Sequence, residues 1–340
     1  ANQACYMLLR EVPLESMQTI VLAPFSRIFD PVSQTFWVTY IATAAFAGLF
    51  YLVSRRSRRT SLRGLLHYIT ARRFWRHPSL HTDIRFYFFS SMFLVVQAMV
   101  FLSFLQTDSW VMSGLEYVLG PSQPSPPPLI AQLLAPLALF LALEFGYWLA
   151  HYLMHRIPVL WEFHKVHHSA EILTPLTEAR QHPIEYIFFP LVYGPLVAFI
   201  NALFLWAYGE QYQSIPFWNM SVILLVFYLT ILHSRHSHIK WNGRGWVGRI
   251  LQTPGHHHIH HSIDPRHFNK NLGYCLSVWD WAFGTLCMPE PKQRITMGLG
   301  GEAGFDTLRN NLLTPFRTCL PHLRRRKPSP PQTTNTSQSA

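Results

Sequence analysis

LIAQLLAPLALFLALEFGYWLAHYLMHRIPVLWEFHKVHH, residues 129–168, is the stretch on which the reading of this chain turns. From Leu129 to about Leu149 it is almost unbroken apolar sequence, the length of about 20 residues that a helix needs to cross a bilayer. His151 and His155 follow directly, four apart and so on one helical face. Pro158 then helps end the helix, because a proline inside a helix removes a backbone donor. His164, His167 and His168 come next at i, i+3 and i+4. Histidine is a poor core residue and a good metal ligand. A membrane helix running into imidazoles on successive faces therefore predicts a metal site at the membrane surface.

Working outward, four more apolar runs appear: Phe36 to Val53, Ile84 to Leu105, Ile184 to Tyr208 with Pro190, Gly194 and Pro195 inside it, and Phe217 to Leu232. The last two could each cross or form a hairpin that enters partway. Only 13% of the 340 residues are charged, against about 25% in a soluble domain. The expected fold is all-α: a polytopic membrane helical bundle with a cytoplasmic helical cap that carries the histidines. Three regions are expected: a membrane region 1–128 with two crossings and a basic loop 54–83, a histidine-bearing domain 129–290, and a basic, partly disordered tail 291–340.

The net charge is +11, yet the position of the charge argues against nucleic acid. Arginines flank the apolar runs, at Arg55, Arg56, Arg58 and Arg59 and again at Arg324, Arg325 and Arg326, as at membrane surfaces. With 54–83 inside, the loops Gln106–Pro128 and Gly209–Pro216 are outside, and they contain no Lys or Arg. Of 28 basic residues only Arg10 and Arg27 fall in the N-terminal segment, which this scheme also places outside. The bias puts every histidine group on the cytoplasmic side. Arg55 to Arg76 reads either as an amphipathic segment on anionic lipid or as a plain positive anchor. Cys5, Cys275, Cys287 and Cys319 form no C-x-x-C pair. No cleavable signal is expected, since the apolar stretch Ile20–Phe25 is short and broken by Pro24.

A third group, His257, His260 and His261, repeats the spacing of the second, although His256 with His260 is also a four-residue step. Eight imidazoles exceed what one ion takes, so two metal ions are the economical reading. Imidazole suits Zn, Cu, Fe and Ni alike. At a membrane surface, the reaction that most needs a metal is oxidation of an unactivated C–H bond; iron with O2 does that, and zinc has no redox chemistry. Haem is disfavoured, because bundles hold it with isolated histidines at mid-membrane depth. His67, His77, His81, His267 and His322 read as solvated or headgroup residues.

The ordered set H-x-x-x-H, H-x-x-H-H, H-x-x-H-H resembles the boxes of the fatty acid hydroxylase and sterol desaturase superfamily of membrane di-iron enzymes. Glu144, Tyr147 and Trp148 ahead of His151, Arg180-x-His182-Pro183-x-Glu185, Thr253-Pro254, Asn271-x-Gly273 and Trp279-Asp280-x-x-Phe283-Gly284-Thr285 extend the likeness over about Leu129 to Pro289. The resemblance implies that His151, His155, His164, His167, His168, His257, His260 and His261 ligate two iron ions. His233 matches a further family histidine and is taken as a ligand too; some members place a partner four residues later, which is Ser237 here, and this leaves His236 or His238 as the substitute. His182 is a weaker candidate ligand. Glu144, a carboxylate in apolar surroundings, is expected to orient a ligand histidine.

The expected activity is O2-dependent hydroxylation or desaturation of a lipid or sterol-like substrate. No flavin, haem or NAD site is expected, so electrons must come from an external ferredoxin, cytochrome or reductase. The rival reading is a non-catalytic membrane zinc or metal-binding protein.

Overall fold

The computed structural model describes residues 17–30, 33, 36–54, 61–70, 74–106, 108–209, 226–243, 245–290 and 293–324. Among the described residues the regular structure is helical, with two isolated bridges and no strand. In chain order the helices are α1 (Met17–Phe29), α2 (Trp37–Ser54), α3 (Leu62–Thr70), α4 (Pro78–Ser90), α5 (Leu94–Gln106), α6 (Asp108–Leu119), α7 (Leu129–Arg156), α8 (Pro158–His168), α9 (Pro183–Tyr208), α10 (Trp246–Ile250), α11 (Pro254–His260), α12 (Val278–Ala282) and α13 (Leu308–Arg324). By length and composition α2, α7 and α9 could each cross a membrane.

The centre is the pair α7 and α9, of 28 and 26 residues, or about 42 and 39 Å. They touch at Gly146, where an added Cβ would lie 2.6 Å from the Tyr193 Cα, so only glycine permits the approach. Helix α7 runs seven residues past the expected end of its apolar stretch, which carries His151 and His155 on the helix itself. Helix α9 is continuous through Pro190 and Pro195, so this run is no partway hairpin; membrane helices tolerate proline where neighbours compensate. Most of Phe217–Leu232 lies outside the described residues.

The expected crossing Ile84–Leu105 is not one helix. It breaks at Ser91–Phe93 into α4 and α5, each 13 residues and so about 20 Å, too short for a hydrocarbon core of about 30 Å. Sequence supplies the break: the Ser90 and Ser91 hydroxyls both donate to the Tyr87 carbonyl, competing with the helical ladder.

The ends of α9 define two sides. At one, Phe93 lies against Tyr186 with ring centroids 6.3 Å apart, next to Glu185. At the other, Trp206 Nε1 donates to Gly120 O and its carbonyl accepts from Ser122 Oγ, at 3.0 and 2.7 Å. All described box histidines lie at the first end. Arg27 also lies towards this end: its guanidinium donates to Ser91 Oγ at 2.9 Å.

Helix α13 packs along α8, with Phe316 on Phe163 at 5.2 Å and His322 Nε2 3.3 Å from Glu162. The fold thus continues past residue 290 to Arg324. The tail from 325, the arginine run 55–60 and the N-terminal 16 residues lie outside the described residues.

Candidate metal centre

Local structure at each box explains which histidines turn inward. Thr253 and His256 form a capping box at the start of α11, so His256 is used as a cap. His258 Nε2 lies 2.8 Å from the Ser237 carbonyl. That leaves His257, His260 and His261 on the inner face at i, i+3 and i+4, the same pattern that α8 presents with His164, His167 and His168.

Two groups result. His151, His155, His164, His168 and His260 bring ligand nitrogens within 4.8 Å of one another; His167, His236, His257 and His261 do the same. Helix α8 feeds both, because His164 and His168 face one group and His167 the other. The groups touch: His168 and His261 stack with centroids 4.6 Å apart.

The rings are held from behind. His151 Nδ1 donates to Leu272 O at 2.8 Å, His167 Nδ1 to Arg180 O at 3.2 Å and His260 Nδ1 to Lys270 O at 3.0 Å. A carbonyl only accepts, so Nδ1 carries the proton and Nε2 offers its lone pair. His164 Nδ1 donates to Glu185 Oε2 at 2.8 Å, and His236 Nδ1 is 2.9 Å from Glu178 Oε2. Burial, then neighbouring imidazoles, hold His164, His168, His257 and His261 well below the ordinary histidine range. Burial lowers His260 to about 3. Neutral rings at neutral pH are what metal binding requires.

These residues fit metal ions. Nε2 of His155, His168 and His260 is buried with no hydrogen-bond partner among the described residues, an unfavourable state unless something else binds it. Nitrogens sharing one ion at about 2.1 Å stand roughly 3.0–3.4 Å apart. Three facing pairs fall in that range, His151–His164, His167–His236 and His257–His261 at 3.0, 3.3 and 3.1 Å, and His236–His257 is shorter at 2.7 Å.

Three sequence candidates stand elsewhere. His233 stacks on Tyr40 at 4.4 Å, and its Nε2 is 3.0 Å from Thr39 Oγ1; the structure brings His236 to the second group instead. His182 caps α9: its Nδ1 accepts from Ile184 N and its Nε2 is 3.2 Å from Leu312 O. Glu144 touches no histidine. Its carboxylate accepts from Cys275 N and Leu276 N, each at 2.9 Å, in the loop whose Leu272 carbonyl holds His151. Asp280 pins the same loop through Leu272 N and Gly273 N, both at 2.9 Å.

Two carboxylates matter more directly. Glu185 caps α9 with one oxygen, accepting from His182 N, and orients His164 with the other. Glu178 escaped the sequence reading altogether. It faces the fully buried Arg235 at 3.3 Å as well as His236. Burial pushes Glu178 up, but Arg235 and then His236 outweigh it, so its carboxylate sits well below the usual range. No local spacing betrays this contact, which joins residues 58 apart in sequence.

The fold and site define a class: membrane helical proteins with two adjoining clusters of imidazoles, mostly buried, at one end of a helix pair. Residues 136–285 of this chain match the family model described as fatty acid hydroxylase. It is 29% identical over 184 residues to alkylglycerol monooxygenase of Xenopus tropicalis, covering 54% of this chain and 35% of that protein. To the Homo sapiens alkylglycerol monooxygenase it is 29% identical over 161 residues, 47% of this chain and 32% of that one. To the ornithine lipid hydroxylase OlsE of Rhizobium tropici it is 30% identical over 164 residues, 47% and 44% of the two chains. The match thus spans about a third of the alkylglycerol monooxygenases and under half of OlsE. No solved structure matches.

Proposed function

We propose that the protein is a membrane di-iron monooxygenase that hydroxylates an alkyl chain of a lipid carrying a polar head. The observation that carries this reading is the convergence of two buried imidazole groups at the end of the helix pair α7 and α9. His151, His155, His164, His168 and His260 would hold one iron, and His167, His236, His257 and His261 the other. Bound there, iron supplies O2 activation, with two electrons and two protons from outside converting RH and O2 to ROH and water.

The chain's own contribution is organisation. Backbone carbonyls of Arg180, Lys270 and Leu272 fix ring tautomers, and Glu185 and Glu178 fix His164 and His236. Burial of His164, His236, Arg180, Leu272 and Glu185 keeps bulk water away from the reacting chain. Helices α7 and α9 cross the membrane and leave the site at the near-leaflet surface, where a lipid chain arrives without leaving the bilayer. The Lys and Arg distribution supports the cytoplasmic side for this end. A ferredoxin, cytochrome or reductase supplies the electrons. The names of the relatives, a monooxygenase of alkylglycerols and a hydroxylase of ornithine lipids, support hydroxylation over desaturation.

The test is metal analysis of anaerobically purified protein together with lipid mass spectrometry of an expressing host. Two irons per chain and a lipid that gains one oxygen atom, only with O2 and reductant, support the reading. Tightly bound zinc with no reductant-dependent O2 consumption overturns it in favour of a metal-handling protein.

A further inference from the structure

Helix α2 has the length and apolarity of a crossing, yet both of its ends are tied to the histidine side. Near its start, Thr39 and Tyr40 hold His233, by the 3.0 Å contact and the 4.4 Å stack. Midway, Phe46 meets Trp241 at 5.7 Å. At its end Tyr51 meets Tyr68 at 5.2 Å, and Tyr68 meets His238 at 4.6 Å. His233 and His238 flank His236 of the second group. A crossing helix of 18 residues would carry one end about 27 Å away from that segment. Its packing partners also differ from those of the bundle. It lies on residues 228–235 and on α3, whereas α5, α6 and α7 pack on α9. The preceding helix agrees, since Tyr87 Oη donates to Pro24 O in α1 at 2.6 Å, beside the Arg27–Ser91 contact.

The two faces of α2 are inverted relative to a soluble helix. Thr39, Thr43, Ala47, Gly48 and Tyr51 face the protein. Opposite them at helical spacing, Ile41, Leu49 and Val53 are 58, 60 and 64% exposed. This apolar face runs directly into the arginines at 55, 56, 58 and 59. The other flank of the cap is similar: Phe283 stacks 4.5 Å from Trp148 of α7, and beside it Trp246 and Trp281 are 65 and 52% exposed.

We propose that α2 does not cross the membrane but lies in the plane of the leaflet nearest the histidines, its apolar face in lipid and its protein face clamping the loop that carries His236. The occupant of that face is the bilayer itself. An apolar face followed by clustered arginines is what an anionic leaflet binds. The proposal does not depend on the metal or on the reaction, and it brings Arg27 to the same side as the other basic residues.

Single cysteines at Ser33→Cys and Ser54→Cys bracket the helix; Gln123→Cys marks the far side and Glu290→Cys the histidine side. The full-length protein is labelled with a membrane-impermeant maleimide in intact and in permeabilised cells, against the parent chain. Ser33→Cys and Ser54→Cys should both follow Glu290→Cys, and Gln123→Cys should show the opposite sidedness. If Ser33→Cys follows Gln123→Cys, the helix crosses and the proposal fails. A fluorophore on Ala45→Cys, the exposed mid-helix position, should lose more signal to a lipid nitroxide near the headgroup than to one at the bilayer centre. Stronger quenching at the centre, or none from either because protein covers the face, overturns it.

Discussion

The two histidine groups use the same ligand chemistry but are assembled differently. The first draws His151, His155, His164 and His168 from two consecutive helices and adds His260. The second draws His167, His257 and His261 from two helices and completes itself with His236, from the irregular segment after a π-helical turn. Behind the first stand backbone carbonyls and Glu185, which is fixed as a helix cap. Behind the second stand the Arg180 carbonyl, at His167, and Glu178, shared with a buried arginine. A site built on regular helices follows sequence spacing; one completed by a loop depends on tertiary contacts.

The largest effect comes from removing a ligand of either group. His164→Ala should abolish hydroxylation and cut bound iron from two towards one per chain, with membrane insertion unchanged. His257→Ala should do the same from the other side. Activity by lipid mass spectrometry and iron per chain by metal analysis are the readouts. Full turnover in His164→Ala would detach the first group from the chemistry.

Next come the carboxylates that orient the rings. Losing such a partner typically costs 10–100-fold in metal affinity or activity. Glu185→Gln keeps an oxygen for the α9 cap, so its loss should be confined to that range. Glu178→Gln should cost more, because Arg235 is left buried without its counter-charge, a penalty of about 3–5 kcal/mol. Thermal unfolding in detergent should therefore separate the two variants even where their iron affinities do not. Equal stability would mean that Arg235 is satisfied by Tyr274 O alone, which it reaches at 2.8 Å.

The same contrast explains what was legible in sequence. The i, i+3, i+4 spacing of His164, His167 and His168 is a local property of a helix, and so is the apolar run of α7. Both could be read directly. The choice between His256 and His257 was ambiguous by spacing and is decided by a cap at Thr253. Which of His233, His236 and His238 reaches the second group was not local at all. A π-helical turn over Tyr228–Leu232 shifts the register just before them, which no 3.6-residue pattern reports. The break at Ser91 and the contact of Arg27 with it were likewise hidden, because hydropathy counts apolar residues and not where their helix ends are tied.

A smaller effect is expected at Glu144. Its carboxylate holds two backbone N–H groups of the loop 272–276 and no ring. One oxygen, Oε2, accepts both 2.9 Å bonds, so Glu144→Gln can keep them but turns a buried amide NH2 towards the Cys275 N–H donor. One unsatisfied buried group costs about 1–3 kcal/mol. Stability should fall by that order while iron content stays at two, since Asp280 still pins Leu272 and Gly273. A loss of iron equal to that in His164→Ala would show that the loop, and the Leu272 carbonyl behind His151, cannot hold position without Glu144.

The smallest effect on the centre should come from His233, and it tests the comparison most sharply. His233→Ala removes a stack on Tyr40 and a contact with Thr39 but no nitrogen aimed at either group. His236→Ala, three residues on, removes the ring that stands 2.7 Å from His257 and 3.3 Å from His167. Iron content should therefore be near normal in His233→Ala and reduced in His236→Ala, although both residues are buried and both variants delete the same side chain. The reverse ranking would restore His233 as the ligand expected by resemblance. It would also mean that the segment 228–236 turns by about 100° per residue along an ordinary helix, rather than through the π-turn that presents His236.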